Sequence, residues 1–181
     1  MKKISFITAI HHPELVSPTI TTVLSNWKGA TPVEEILVSE INPDFMMGEV
    51  FSREYGIPTN EGANSLIVEG TRGSKKIYAA CLVPVNSRIN FKDIVRKQLN
   101  ARTVSLAPLD YVLKETQMEY GSITVLGLPL DWPILIDSRL ISLPRVIIGS
   151  GLVKSKLSLP GKALTEITNA VVLEGLALGK D

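Results

Sequence analysis

The sequence predicts an α+β fold in which helices pack on a mixed or antiparallel sheet. Three observations predict it. Apolar runs at 62–70 and 76–83 are joined by Thr71-Arg72-Gly73-Ser74-Lys75, which reads as a β-hairpin. Short strand-like runs at 133–137, 145–148, 156–159 and 170–174 interleave with helical segments, yet lack the long crossovers of a doubly wound parallel sheet. The 181 residues, 45% hydrophobic, supply one substantial core and contain no linker-like stretch, so residues 1–181 are expected to form a single domain.

Taken in order, Ile4 to Ile10 fits either a first strand or the start of a helix. Ser17-Pro18 is a helix start, with Ile20, Val23, Leu24 and Trp27 on one face and an end near Gly29. Residues 34–41 read as a strand closed by Asn42-Pro43. Residues 44–55 read as a helix presenting Met46, Val50 and Phe51, with Gly56 as its stop. After the hairpin, Asn90 is placed to cap a helix over 91–99 that buries Phe91, Ile94, Val95 and Leu99. Its other face is basic: Lys92, Arg96 and Lys97, flanked by Arg88 and Arg102, are either a solvated face or a phosphate-contacting patch. Pro108 opens a further helix with Leu109, Val112, Leu113 and Thr116 facing inward. A helical turn over 160–168 precedes the last strand.

The composition excludes several classes. A formal net charge of +1 gives little general attraction to nucleic acid, so any such contact needs a local patch. The single cysteine, Cys81, lies inside an apolar run and reads as a small buried hydrophobe in a chain suited to a reducing interior. No apolar run is long enough to span a membrane, and His11, His12 and Pro13 interrupt the N-terminal one before a signal-peptide core could form; a cytoplasmic location is expected. The only histidines are the adjacent pair His11-His12, so neither a histidine metal cage nor a Ser-His-Asp relay has a source. Phosphate loops and nucleophile elbows are absent, and no cofactor or metal is expected. Chemistry here would have to lean on backbone donors and positioning.

One stretch stands out. In Met118-Glu119-Tyr120-Gly121-Ser122-Ile123-Thr124-Val125-Leu126-Gly127-Leu128-Pro129, two glycines bracket a β-branched run that reads as a strand. It is either a ligand wall or a core strand between two turns. With it come Ala79-Ala80-Cys81-Leu82-Val83-Pro84, Ala101-Arg102-Thr103-Val104-Ser105-Leu106-Ala107, Ile134-Leu135-Ile136-Asp137, Val146-Ile147-Ile148-Gly149-Ser150-Gly151 and Ser155-Lys156-Leu157. In this order and spacing the chain, from about residue 64 to 168, resembles the YbaK/EbsC family, stand-alone relatives of the editing domain inserted in bacterial prolyl-tRNA synthetases.

The resemblance implies an α/β fold around a mixed, barrel-like sheet, and a cleft that hydrolyses the ester of a wrongly charged tRNA. Its implied partners are the aminoacylated 3′ end of tRNA and, as a further candidate, an aminoacyl-tRNA synthetase. An aminoacyl ester is already activated, so a positioned water and backbone N–H groups aimed at the developing oxyanion suffice. Asn64 would orient substrate or water. Gly121, Ser122 and Gly127, facing Gly149, Ser150 and Gly151, would line a small pocket, with Ser65 and Thr124 also on the substrate. Asp137 either binds the substrate amino group or caps the next turn. Lys154 and Lys156 would anchor the terminal nucleotide, and Arg88, Lys92, Arg96 and Lys97 the acceptor stem. The chain departs from the family where Asn64-Ser65 stands in place of a Lys-Thr pair, and where Gln117, Ser122 and Val125 replace Gly, Gly and Pro. Asparagine hydrogen-bonds but carries no charge. The departure raises the alternative of a catalytically silent protein of this fold that binds a tRNA end, an aminoacyl group or a nucleotide.

Overall fold

The computed structural model describes residues 2–179. Its centre is the hairpin read from the sequence. Strands β1 (Ile7–Thr8) and β2 (Leu37–Glu40) precede it, together with helices α1 (Pro18–Ser25) and α2 (Gly48–Tyr55). The hairpin itself is β3 (Ala63–Arg72) and β4 (Lys75–Pro84), paired in full from Ala63↔Pro84 to Arg72↔Lys75. Then come β5 (Ser87–Ile89), a π-helical turn over Phe91–Val95 running into α3 (Arg96–Gln98), β6 (Thr103–Leu106) and α4 (Leu109–Thr116). The chain finishes with β7 (Ile134–Asp137), β8 (Val146–Gly149), β9 (Ser155–Leu159), β10 (Ala170–Leu173) and β11 (Ala177–Gly179).

The main sheet has the order β10-β7-β4-β3-β6. It is parallel where β7 joins β10 and β4, and antiparallel from β4 to β6. A second, antiparallel sheet runs β1-β2-β9-β8, and β5 pairs with β11. The sheet is therefore mixed, as expected. Among the described residues no closed barrel forms; the two large sheets meet through a parallel bridge between Gly62 and Ile147.

Strand alternation explains why β4 reads as an unbroken apolar run. Ala80 and Leu82 face a core shared with Val38, Ile148, Leu157 and Leu159 of the second sheet, Ile20 and Leu24 of α1 and Val112 of α4. Ala79, Cys81 and Val83 face a second core with Val68, Leu135, Val95 and Leu99. A strand buried on both faces has no polar alternation to show. Burial pushes the Cys81 thiol up to about 12, so it is inert as read. On the outer side of β8, Ile147 packs against Phe51 and Tyr55 of α2.

Local signals account for several elements. Asn90 Oδ1 accepts the Asp93 N–H at 3.2 Å, and Gly56 closes α2 in the left-handed region at φ 67°. Ser17 precedes α1 without a side-chain cap; its hydroxyl meets the Thr19 hydroxyl at 3.0 Å, and its N–H donates to the Ser150 carbonyl. Two expectations change. Residues 4–10 contain only the two-residue β1 before a 3-10 turn. The run between Gly121 and Gly127 is not a strand: both glycines are left-handed (φ 84° and 80°), as is Gln117 (φ 56°), and the segment is a buried loop. Val125 and Leu126 are fully buried in the main core, so the apolar periodicity records burial rather than pairing.

Candidate active site at the open edge of strand β3

The site follows from how β3 changes neighbours. Backbone groups alternate along a strand, so residues of one parity address one flank. The carbonyls of Ile67 and Thr71 accept from Ala107 and Arg102 on the β6 side, whereas the Gly62 carbonyl accepts from Val85 on the β4 side. Odd-numbered β3 residues thus address the flank away from β4. On that flank β8 touches the chain at Gly62 and the β6 ladder begins only at Val68. Between these attachments the N–H and C=O of Ser65 face no neighbouring strand among the described residues.

The gap is a cavity of about 400 Å³. Ala63, Ile67, Val112 and Ile123 give it an apolar floor. Met46, Met47 and Gly48, at the start of α2, form one side, and Ala107 and Leu109 another. Gly121, Gly149 and Lys156 complete the wall. Asn64 is exposed at the mouth. Beside it Met47, Leu106, Leu109 and Tyr120 present large apolar surfaces to solvent, Tyr120 at 65% exposure. A rim of that kind suits a planar or apolar ligand group.

Polar groups in the cavity are few. The Ser65 hydroxyl is buried and has no hydrogen-bond partner. Lys156 sits on β9 directly across from Gly149 of β8, and its ammonium lies 5.9 Å from the centre of the Phe51 ring. The residue keeps some surface while its ammonium end is enclosed; burial pulls the amine down to about 8. Among the described residues no Asp, Glu or His lines the cavity. The glycine at 149 is required by packing: a Cβ there would lie 2.5 Å from the Ser122 carbonyl oxygen. That close approach holds the 119–122 loop against β8, reinforced by Gly151 N–H donating to the Ser122 carbonyl at 2.8 Å.

The aminoacyl-tRNA editing domain model matches residues 44–167, which contain every cavity-lining residue. The chain belongs to this family. The editing domain also superposes on solved structures of low identity. One, described as a candidate trans-editing enzyme for prolyl-tRNA synthetase, has a TM-score of 0.73 at 19% identity, covering 91% of this chain and 99% of that one. A second, described only as a hypothetical protein, gives 0.65 at 22% identity, covering 74% and 85%. A candidate signal transduction protein from Marinobacter aquaeolei gives 0.58 at 15% identity, with 90% of this chain on 31% of the other. No curated protein matches the sequence.

Within the editing domain, Asn64, Ser65, Gly121, Gly149 and Lys156 all line the cavity. Other anticipated residues lie elsewhere. Gly127 lines a separate cavity of about 290 Å³ with Trp27 and Glu166, and a Cβ there would meet the Thr19 backbone at 2.8 Å. Ser122 is buried, its hydroxyl donating to the Leu152 carbonyl at 2.7 Å. Ser150 is enclosed with Ser155, hydroxyl to hydroxyl at 2.7 Å, and a Cβ on Gly151 would meet Ser17. Thr124 is fully buried, with an unpartnered hydroxyl, outside the cavity lining. Asp137 is buried and outside the cavity lining: its Oδ1 accepts the Arg139 N–H at 3.2 Å and pairs with Arg139 Nε at 2.7 Å, and its Oδ2 accepts the Ala177 N–H at 2.8 Å.

Of the basic residues, Lys92, Arg96 and Lys97 are exposed on the helical segment that packs over the second core, across the main sheet from the cavity floor. Arg88 pairs with Leu178 in the small sheet, and Lys154 is exposed in the β8–β9 turn. The sequence reading missed Met47, Leu106, Leu109 and Tyr120. Met47, Leu106 and Leu109 stand at the ends of elements and Tyr120 in the turn after α4, and Leu106 and Tyr120 fall inside the stretches that resemble the family without a residue-type signal that marks them as rim residues.

Proposed function

We propose that this editing domain is a trans-acting aminoacyl-tRNA deacylase, removing a small amino acid from a wrongly charged tRNA in the cytoplasm. The observation that carries the reading is the cavity at the open edge of β3, whose polar equipment is backbone, the Ser65 and Tyr120 hydroxyls, the Asn64 amide and one ammonium. Its volume suits a small aminoacyl group with part of the ribose. No histidine or carboxylate is present to activate the Ser65 hydroxyl as a nucleophile, so water is the attacking species. The Ser65 N–H, free of any strand partner, is placed to donate to the carbonyl oxygen, and Asn64 at the mouth can orient substrate or water. The exposed rim of Tyr120, Met47 and Leu106 supports stacking of the terminal base.

Phosphate contacts would lie farther out. From Ser65 to Arg72 along β3 is about 23 Å at roughly 3.3 Å per residue. Exposed Arg72, Lys97 and Arg102 gather at that end, where Arg102 N–H bonds the Thr71 carbonyl and Arg72 reaches the Asn100 carbonyl at 3.2 Å. A single-stranded tRNA terminus spans such a distance and brings the acceptor stem to these cations. A synthetase that makes the charging error would be the upstream partner. The uncharged Asn64 favours a second reading, a binder without turnover. Purified protein incubated with a panel of tRNAs carrying small non-cognate amino acids tests both. Accelerated release of at least one amino acid supports the deacylase; binding of the charged tRNA with release of none supports the binder.

A further inference from the structure

We infer that Lys156 is the cation of this active site, stabilising from β9 the oxyanion that develops on the ester carbonyl, in the place that residue 64 leaves uncharged. The inference rests on the deacylase reading and adds to it the group that answers the negative charge of the reaction.

Four observations support it. Among the described residues that line the cavity Lys156 alone is charged, so this lining is net positive and includes no carboxylate to neutralise it. An enclosed ammonium without a counter-ion is costly, and an apolar residue of similar length would pack against Phe51 at less cost; an anionic ligand group is what makes the charge favourable. Register places it opposite Gly149, on a wall of the same cavity that Ser65 lines. Finally, the first turn of the eight-residue α2, at Met47 and Gly48, lines the same cavity and adds the positive end of its dipole.

The step balances without redox chemistry. A water oxygen attacks the ester carbonyl carbon, the carbonyl π pair moves onto oxygen, and that oxyanion is held by the Lys156 ammonium and the Ser65 N–H. As the carbonyl re-forms, the bond to the ribose oxygen breaks. The proton shed by the attacking water reaches that oxygen through solvent. Free amino acid and the tRNA hydroxyl result, and Lys156 neither gains nor loses a proton. An ammonium that interacts with the transition state and hardly with the neutral ester raises kcat more than it lowers KM.

The test uses wild type, Lys156→Met, Asn64→Lys and the double variant, with two probes besides charged tRNA. One is a phosphonate analogue of 3′-alanyl-adenosine, which carries a tetrahedral anion; the other is the neutral amide-linked analogue. Lys156→Met is expected to lower kcat roughly 100-fold with KM changed by less than about threefold, and to weaken phosphonate binding about 30-fold while sparing the amide. Asn64→Lys on that background is expected to restore at least about tenfold of the lost rate, since it returns a charge to the same cavity. If wild type releases amino acid and Lys156→Met does so equally fast, the inference fails and the deacylase reading stands. If wild type releases nothing yet prefers the phosphonate through Lys156, the deacylase reading fails and the anion site stands. Failure of wild type to bind the phosphonate, or equal binding by Lys156→Met, overturns the inference.

Discussion

Replacing Lys156 by methionine is expected to stabilise the protein while disabling it. In the folded chain burial holds the amine at about 8, against the ordinary lysine value of 10.5. Below pH 8 the amine is charged in both states, and the folded state alone bears the desolvation. That differential amounts to about 3 kcal/mol. Methionine recovers the packing of the methylenes but forfeits the contact of the ammonium with Phe51, worth about 0.5–1 kcal/mol. A net gain of about 2 kcal/mol at pH 7 corresponds to a Tm higher by about 4–8 °C for a chain of this length.

The sign with pH is fixed by linkage. A lysine whose folded value lies below its unfolded one destabilises fully below pH 8, and the penalty disappears as pH rises to 10.5. Urea unfolding of both proteins at pH 7 and again near pH 10.5 should therefore show the gap close to within about 0.5 kcal/mol. The other titratable groups on the elements packed there, Glu40 on β2 and Glu49, Arg53 and Tyr55 on α2, are common to both proteins and cancel. A variant less stable than wild type at pH 7, or a gap that ignores pH, would show that the lysine is well solvated or structurally paired, and the argument for its role would go with it.

The same ammonium gives turnover a pH profile: kcat, after subtracting uncatalysed ester hydrolysis, should fall above about pH 8, with about a tenth of the charged form left at pH 9. Ser65→Ala removes a buried hydroxyl that has no partner, so stability should change by no more than about 0.5 kcal/mol while kcat/KM falls about tenfold through the lost substrate hydrogen bond; unchanged kcat/KM would remove the hydroxyl from the site. Gly127→Ala adds a Cβ against the Thr19 backbone at a left-handed residue, and should cost about 2–4 kcal/mol in urea unfolding. Any surviving folded Gly127→Ala should retain wild-type kcat, because this glycine lies outside the cavity. Arg72→Ala together with Arg102→Ala should weaken tRNA binding and flatten its salt dependence by about two in slope, leaving hydrolysis of aminoacyl-adenosine untouched.

Much of the fold is readable because its causes are local. The β3–β4 hairpin needs only two apolar runs and a glycine-containing turn, the Asn90 cap needs only an acceptor three residues before an N–H, α1 begins at Pro18 and Pro108 immediately precedes α4. The buried loop at 121–127 defeats the same method, since a β-branched run is apolar whether it pairs or is merely covered. Glycines divide in the same way. Gly121 and Gly127 are alike in sequence, each ending the same short run in a left-handed turn, yet one lines the cavity beside β3 and the other abuts α1.

The chain alone thus determined its family, its mixed sheet with packed helices, and a short list of polar and glycine residues from which a site could be built. Tertiary structure decided which of them meet. Ser65 has a free backbone edge only because β8 and β6 attach on either side of it, and Lys156 reaches the same hollow only because β9 pairs with β8. Both facts depend on the bridge that joins Gly62 to Ile147, residues far apart along the chain, and no local pattern of residue types encodes a strand's neighbour on its open side.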